Sequence, residues 1–291
     1  MDQKIIDLYD DFIHGGMNRR EFLERLTKVV GSVAAATTAM SLLQSDFAMA
    51  ETVPANDGRL AIDRVTYDSP KGKINGYLAR PKSRGKRPAI VVIHENRGLH
   101  PHIEDVARRL AVEGFVVLAP DLLSMLGGTP KDEDAQLAAF KKINRAEAHI
   151  PLVAAVSFMK KHPESTGKVG AVGFCFGGEM VNRVAVESRD LDAGVAYYGR
   201  QPSEADTAKI TAPLLLHYAE NDKGVNAGIE AYEKALKANK KRYTQYIYPG
   251  AQHAFNNDTS KARYNKAAAD LAWGRTLAFF KETLGAPPSA A

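Results

Sequence analysis

The fold of this chain is decided by seven residues, Gly173-Phe174-Cys175-Phe176-Gly177-Gly178-Glu179. Before them the apolar run 168–172 predicts a buried strand, and after them the run 180–186 predicts a helix. Glycines two positions either side of Cys175 lack the Cβ atoms that would collide in a tight strand-to-helix turn. The start of the helix directs its positive end at the cysteine, which favours a thiolate. The pattern predicts a nucleophile elbow; the alternative is a buried structural cysteine in a glycine-rich turn.

The composition is typical of a soluble globular protein and excludes several kinds of site. The chain has 291 residues, of which 45% are hydrophobic and 25% are charged, and its formal net charge is +5. Its one basic cluster, Lys237 to Arg242, favours a solvated helix end over a nucleic-acid patch, so we expect no nucleic-acid partner. A single cysteine excludes an intrachain disulfide and any metal site built from several cysteines.

The first fifty residues have the layout of an export signal. The stretch Asn18-Arg19-Arg20-Glu21-Phe22-Leu23 resembles the twin-arginine motif, residues 29–44 are uncharged, and Ala48-Met49-Ala50 offers a small-residue cleavage site. The uncharged stretch is too short and too mildly apolar for a stable membrane span. We therefore expect a signal peptide over 1–50, export to the periplasm by the twin-arginine machinery, and a flexible mature N-terminus over 51–59. The alternative is an amphipathic helical extension with a chance arginine pair, in a cytoplasmic protein.

Strand-like and helix-like stretches alternate along the rest of the chain, beginning with a hairpin around Ser69-Pro70-Lys71-Gly72. The expected strands are 64–67, 74–78, 89–94, 115–119, 168–172, 193–198, 213–218 and 243–248. The expected helices are 103–113, 132–142, 145–161, 180–186, 226–239 and 267–284. This alternation predicts a mostly parallel sheet with helices on both faces, in one α/β domain over 60–285 that is followed by a tail over 286–291.

Three chemically active residues follow three of the predicted strands. In an open parallel sheet, the site forms at the carboxyl ends of the strands. Cys175 follows the elbow strand, Asp222 follows the strand 213–218, and His253 lies in the loop after the last strand. Nucleophile, acid and histidine, in this chain order, are typical of the α/β-hydrolase fold. His253 would take the thiol proton and later protonate the leaving alkoxide, while Asp222 would orient the imidazole.

An oxyanion beside this nucleophile would need N–H donors. We expect the backbone N–H of Phe176, directly after the nucleophile, and the backbone N–H of Asn96, at the end of an earlier strand. Structural roles remain open for two of the triad members. Asp222 could cap the helix that is expected to begin near Asn226, and His253 is one of eight histidines.

The cysteine elbow, Asp222, the stretch His253-Ala254-Phe255 and Glu95 together make the chain similar to the dienelactone hydrolase family, the carboxymethylenebutenolidases. The resemblance covers residues 60–285. It implies an α/β-hydrolase fold, cleavage of a small-molecule ester or lactone through a thioester acyl-enzyme, no cofactor or metal, and a monomer. In the family the glutamate that Glu95 matches approaches the cysteine, and substrate frees it to help generate the thiolate. The alternative for Glu95 is a loop carboxylate paired with Arg97.

The chain departs from this family where the substrate is held. Two arginines bind the substrate carboxylate in the family, and Met125 and Asn257 occupy the matching positions here. Arg97 and Arg200 are candidates to replace them, and Tyr197 is a further candidate for substrate contact. The departure leads to the hypothesis of a shifted substrate, an ester or lactone that is neutral or carries its carboxylate elsewhere.

Two other functional classes stay open at this point. A lone activated cysteine could cycle through sulfenic acid in a thiol redox or peroxide-responsive protein. That class has no use for the Asp–His pair, and the chain has no second cysteine to resolve the oxidised thiol. A catalytically silent binding module on the same fold is the other alternative, and the intact triad argues against it.

Overall fold

The computed structural model describes residues 1–43 and 51–290, with one eight-stranded sheet at the centre. The strands are β1 (Leu60–Ser69), β2 (Gly72–Pro81), β3 (Arg87–Ile93), β4 (Val116–Pro120), β5 (Ser165–Phe174), β6 (Ala193–Tyr197), β7 (Leu214–Asn221) and β8 (Tyr243–Gln252). The helices are α1 (Gln3–Ile13), α2 (Arg19–Val30), α3 (Val33–Leu43), α4 (Pro101–Val112), α5 (Glu133–Phe140), α6 (His149–Lys161), α7 (Phe176–Glu187), α8 (Glu204–Thr207), α9 (Lys223–Asn226), α10 (Ile229–Ala238) and α11 (Lys266–Leu284).

The sheet is parallel except at one strand. Its strands lie in the order β1-β2-β4-β3-β5-β6-β7-β8. β2 pairs antiparallel with β1, from Leu60 opposite Pro81 to Ser69 opposite Gly72, and antiparallel with β4. All the other pairs in this sheet are parallel. The expected hairpin and the mostly parallel sheet are confirmed, and with helices on both faces the architecture is the α/β-hydrolase fold.

Two hydrophobic clusters sandwich the sheet. Every residue of β3 is buried, as expected for a strand that is covered on both faces. Ala89, Val91 and Ile93 pack into the cluster that α6 and α7 complete. Ile90 and Val92 point the opposite way, into the cluster of α4 and α11. Burial of each of these aliphatic side chains stabilises the fold by roughly 1.5–3 kcal/mol. The strand is therefore held firmly in the sheet, and so is the end of the strand beside which the site forms.

The helix expected over 226–239 is present as α10, which begins three residues later, and the short helix α9 precedes it. Gly228 lies between them, and a Cβ atom there would come within 2.3 Å of Gln201 Oε1. The side chain of Asn226 donates hydrogen bonds to the carbonyls of Ala219 and Glu220 and so ties the end of α9 back to β7. A 3₁₀ helix, Leu122–Leu126, follows β4.

The stretch 51–59, which we expected to be flexible, is anchored at Val53. This side chain is buried, and the Val53 N–H donates to Asp105 at 2.8 Å. Arg108 donates to the Val53 carbonyl at 2.5 Å. Asp105 and Arg108 both lie on α4, so the chain enters the domain along that helix.

The first three helices form a small layer of their own on the domain. α2 begins with a capping box between Asn18 and Glu21. Phe22 and Leu26 are fully buried in a cluster with residues of α1 and α3, and Leu137 of α5 joins it. This buried cluster holds the helices to one another and to the domain.

The first three helices belong to the expected export signal, so their length and hydrophobicity can be compared with those of a membrane span. Among the described residues no single helix is long and apolar enough to cross a membrane, and α2 and α3 pass that test only as a pair bent by 112°. The expected cleavage site, Ala48-Met49-Ala50, lies outside the described residues, and the export signal stays a prediction.

Candidate active site

Cys175 lies at the turn between β5 and α7 in a strained backbone conformation, with φ 56° and ψ −115°. A Cβ atom at Gly173 would lie 2.1 Å from the carbonyl oxygen of Gly177, and one at Gly177 would lie 2.2 Å from the carbonyl oxygen of Ile93. Because both contacts are with backbone, only glycine fits at these two positions. Such a φ costs on the order of 1–3 kcal/mol, and here it places the thiol at the N-terminus of α7.

The histidine and the aspartate meet beside this thiol. His253 Nδ1 donates to Asp222 Oδ2 at 2.6 Å, and the other carboxylate oxygen accepts the Val225 N–H at 3.2 Å. Asp222 therefore caps α9 and orients the imidazole at once, so the two roles that the sequence left open coexist. His253 Nε2 is buried and forms no hydrogen bond within residues 1–43 and 51–290, and a ring nitrogen of His253 lies within 4.8 Å of Cys175 Sγ.

The electrostatics of these three residues favour a thiolate. Burial alone would raise the pKa of Cys175, but the neighbouring His253 and His14 outweigh it and lower that pKa from 9.0 to about 6. Burial would lower the pKa of His253, yet Cys175 and Asp222 raise it well above 6.5. His253 also lowers the pKa of Asp222 against the opposing effect of burial. At neutral pH the group is a thiolate, an imidazolium and a carboxylate.

A narrow cavity of about 30 Å³ lies over the thiol. That volume holds one or two waters and not an ester substrate. Asn96 and Phe176, whose N–H groups we expected as oxyanion donors, line it together with the thiol. The side-chain amide of Asn96 donates to the carbonyl of Ile13 at 2.9 Å, so the end of α1 forms part of the wall.

Glu95 and Asn257 bond to each other in the interior. Asn257 Nδ2 donates to Glu95 Oε2 at 2.9 Å, and both side chains are buried. Arg97 does not pair with Glu95; its guanidinium contacts Glu133 at 3.2 Å and the hydroxyl of Tyr9 at 3.0 Å. Arg97 is thereby committed to the packing of α1 and α5.

Two further candidates lie away from the thiol. Tyr197 is in the core, with its hydroxyl bonded to Thr276 at 2.7 Å, and Met125 is exposed on the 3₁₀ helix. Tyr198 is the residue that lines the cavity, and its hydroxyl is buried without a hydrogen-bond partner among the described residues. A difference of one residue at a strand end reverses the face, and that is why the sequence pointed to the wrong tyrosine.

Arg200 does lie at the site. Its side chain lines both the cavity over the thiol and the wider mouth outside it. It forms no ion pair with any residue in the described ranges. Of the candidate arginines, Arg200 is thus the one that can meet a substrate anion.

The sequence analysis missed His14. This residue ends α1, and its Nε2 lies 3.3 Å from Cys175 Sγ. Its Nδ1 donates to the carbonyl of Asp10 at 2.7 Å, and its ring packs edge-on against that of His253, with centroids 4.8 Å apart. The stretch that carries His14 is predicted to be part of an export signal, and no local pattern marks its histidine as a site residue.

Helix α1 is held over the mouth by polar contacts as well as by packing. Arg263, which is buried, bonds to Asp10 at 3.0 Å and lies over the ring of Tyr9 at 5.1 Å. Asp7, Asp10 and Asp11 line the outer mouth, opposite Arg200 and the backbone around Asp222. The described chain therefore carries a mainly acidic helix across its own active site.

Two family models match the chain. The model of the dienelactone hydrolase family matches residues 74–284, and a model described as YqhI-like matches residues 1–30. The second match covers α1 and α2, and the first covers the sheet from within β2 onward together with the elbow, Asp222 and His253.

Individual relatives agree with the first match. An assigned carboxymethylenebutenolidase from Methylorubrum extorquens is 30% identical over 275 residues, which are 89% of this chain and 93% of the relative. One from Saccharolobus solfataricus is 30% identical over 253 residues, 75% of this chain and 97% of the relative. The crystal structure of an assigned dienelactone hydrolase from Klebsiella pneumoniae aligns with a TM-score of 0.69 at 28% identity, covering 77% of this chain and 99% of that one. The chain therefore belongs to the dienelactone hydrolase family and is an ester or lactone hydrolase.

Proposed function

We propose that the chain cleaves a small ester or lactone with Cys175 as nucleophile, His253 as acid and base, and Asp222 as its orienting partner. The observation that supports this is the hydrogen bond from His253 Nδ1 to Asp222 together with a buried Nε2 facing a thiol of lowered pKa. A structural cysteine in an apolar pocket would have its pKa raised.

The reaction would proceed in two displacements. The thiolate of Cys175 attacks the substrate carbonyl, and the resulting oxyanion accepts the backbone N–H groups of Phe176 and Asn96. His253 gives its Nε2 proton to the leaving alkoxide as the acyl–oxygen bond breaks, which leaves a thioester on Cys175. His253 then takes a proton from a water that attacks the thioester. The acyl–sulfur bond breaks, the acid product leaves, and the thiolate of Cys175 and the imidazolium of His253 are restored.

Glu95 keeps the part that we expected, assistance in forming the thiolate when substrate binds. Its carboxylate is buried near the cavity and is held by Asn257. In the chain without α1, where His14 no longer favours the thiolate, a substrate group that displaces the Asn257 amide would release this carboxylate toward the thiol proton. Glu95→Gln should then lower kcat more than it raises KM. Asn257→Ala should make kcat differ less from one substrate to another, because the carboxylate would be free before substrate binds. Unchanged kinetics for Glu95→Gln would exclude the role.

The substrate we propose is neutral or carries its carboxylate at a new position. The arginine positions of the family hold Met125, which is exposed, and Asn257, which is committed to Glu95. Arg200 supplies a cation on the opposite wall, and the acidic residues of α1 repel an anion that approaches from the outer mouth. Because the cavity holds only one or two waters, α1 must move or be removed before such a substrate reaches Cys175.

The experiment is a turnover screen of the purified chain with short aryl esters and lactones. Cys175→Ala should abolish turnover, and mass spectrometry of quenched wild-type protein should find one acyl group on Cys175. A wild-type protein that acquires peroxide-dependent oxidation at Cys175 but never an acyl group would favour the thiol redox class instead. Binding without either reaction would favour the silent binding module.

We further propose that the chain is exported by the twin-arginine machinery. The support is the order of Arg19-Arg20-Glu21-Phe22-Leu23, the uncharged stretch and Ala48-Met49-Ala50. Removal of residues 1–50 would take α1 away from the mouth. The test replaces Arg19 and Arg20 by lysine and follows the protein by cell fractionation. Equal amounts in the periplasm for both forms, or a protein that is cytoplasmic in each, would refute the proposal.

A further inference from the structure

Three metal-binding side chains converge where α1 meets the elbow. His14 Nε2, Cys175 Sγ and His253 each offer a donor atom, and these atoms all lie within 4.8 Å of one another. The distance from His14 Nε2 to Cys175 Sγ is already 3.3 Å. A tetrahedral zinc ion, with Zn–N of about 2.0–2.1 Å and Zn–S of about 2.3 Å, sets its donors about 3.3 to 3.6 Å apart. Side-chain rotations that move the three donor atoms by about 1 Å would complete that geometry.

Both imidazoles are already oriented as metal ligands are. A metal-bound histidine almost always donates its other ring nitrogen to a carbonyl or a carboxylate. His14 Nδ1 donates to the Asp10 carbonyl at 2.7 Å, and His253 Nδ1 donates to Asp222 at 2.6 Å. Each Nε2 is therefore left for the shared space, and that of His253 is buried without a hydrogen-bond partner among the described residues.

The third donor is a thiolate, which decides the class of ion. Thiolate and imidazole select zinc and related soft ions, whereas magnesium and calcium prefer oxygen. A cavity with room for one or two waters could supply the fourth ligand.

We propose that the chain that retains α1 binds one Zn²⁺-class ion between His14, Cys175 and His253, and that this ion keeps the hydrolase inactive. The ion would take the lone pair of the Cys175 thiolate and the Nε2 of His253, which releases its proton to solvent. The nucleophile and the base would both be lost to catalysis. The inactivation rests on the proposed function, whereas the binding does not.

The dependence on His14 separates this site from simple poisoning of an active thiol. Without α1 only two protein ligands would remain. Loss of an outer partner of a metal ligand costs about 10–100-fold in affinity, so loss of a ligand itself should cost more than about 100-fold. Removal of residues 1–50 would thus release the ion as well as open the mouth.

The test uses the full chain and Co²⁺ alone, titrated without oxygen and without substrate. We expect one equivalent to give a thiolate-to-cobalt charge-transfer band that added Zn²⁺ removes. Cys175→Ala should lose the band, and His14→Ala should weaken binding more than about 100-fold. His162→Ala, a half-buried histidine at the end of α6, is the matched control and should bind as the wild type does. Thermal unfolding of each variant confirms that it is folded.

Each outcome decides the matter. Equal binding by His14→Ala and wild type, or a spectrum without a thiolate band, overturns the site. If the band appears but metal-free protein hydrolyses no ester, the site stands and the proposed function fails. If metal-free protein is active and one equivalent of Zn²⁺ leaves its turnover unchanged, the inactivation is wrong while the binding remains.

Discussion

Replacing His14 by alanine should raise the pKa of Cys175. In the folded chain this pKa is about 6 instead of 9.0, although burial opposes the change. Three units correspond to about 4 kcal/mol in favour of the thiolate. His253 and His14 both lower it by their charge, and His14 also lowers it by its hydrogen bond to the thiol. Because the two histidines also offset burial, an equal share for His14 exceeds about 1.5 units, and the variant should titrate at least about 1 to 2 units higher.

The sign of the effect follows from which form is charged. The thiolate dominates above the pKa, so a higher pKa removes it at neutral pH. At pH 7 the thiolate fraction should fall from about 90% to between about 50% and 10%. We would follow the ultraviolet absorbance of the thiolate against pH in the metal-free full chain, with Cys175→Ser as the blank and His162→Ala as the control. If His14→Ala titrated at the same pH as the wild type, α1 would not lie against the thiol in solution.

Three further predictions follow from the geometry of the site. His253→Ala and Cys175→Ala should each lower kcat by several orders of magnitude, and the double variant should lose little more, because they act as a unit; losses that multiply would show independence. Arg200→Ala should lower kcat/KM for a carboxylated lactone about tenfold and leave a neutral aryl ester nearly unchanged; equal effects on both would remove Arg200 from anion binding. Gly177→Ala should destabilise the fold, since its Cβ would lie 2.2 Å from the Ile93 carbonyl oxygen. The control Gly274→Ala on α11 would place its Cβ where nothing lies within 4 Å and should stabilise the fold by about 0.5–1 kcal/mol. The melting temperatures of the two variants and the wild type test this; an unchanged melting temperature for Gly177→Ala would contradict it.

Local patterns were sufficient to predict most of the domain. The strands around Val91 and Val172 are short runs of apolar residues, typical of buried strands. Their alternation with helices along the chain predicts a parallel sheet. The glycines around Cys175 predicted a strained turn, and the structure has a φ of 56° there. The carboxyl ends of β5, β7 and β8 then bring Cys175, Asp222 and His253 together, because parallel strands end at one edge of the sheet.

Side-chain direction at the ends of elements could not be predicted in the same way. Tyr197 and Tyr198 are adjacent, and only the backbone, with φ of 37° at Tyr198, decides which one faces the cavity. Asn257 matches a family arginine position by sequence, yet its amide is used to hold Glu95. Which way such a side chain points depends on contacts between residues that are far apart in the chain. The spacing of apolar residues along the sequence does not predict these contacts.

His14 was not predicted as a site residue for a different reason. A stretch that carries a targeting motif can also fold as a cap over the active site, which is what helices α1 to α3 do here. The arginines of the motif lie on α2 and face outward, where Arg20 pairs with Glu24 and Arg19 with Asp134. The apolar residues between them and the domain, Phe22 and Leu26, are fully buried. A helix can thus present its arginine pair to a receptor while its other face holds α1, and with it His14, against Cys175. The two arginines of the predicted export signal are exposed and the residues that hold the cap together are buried, so the same stretch can cover the thiol and still carry the predicted signal.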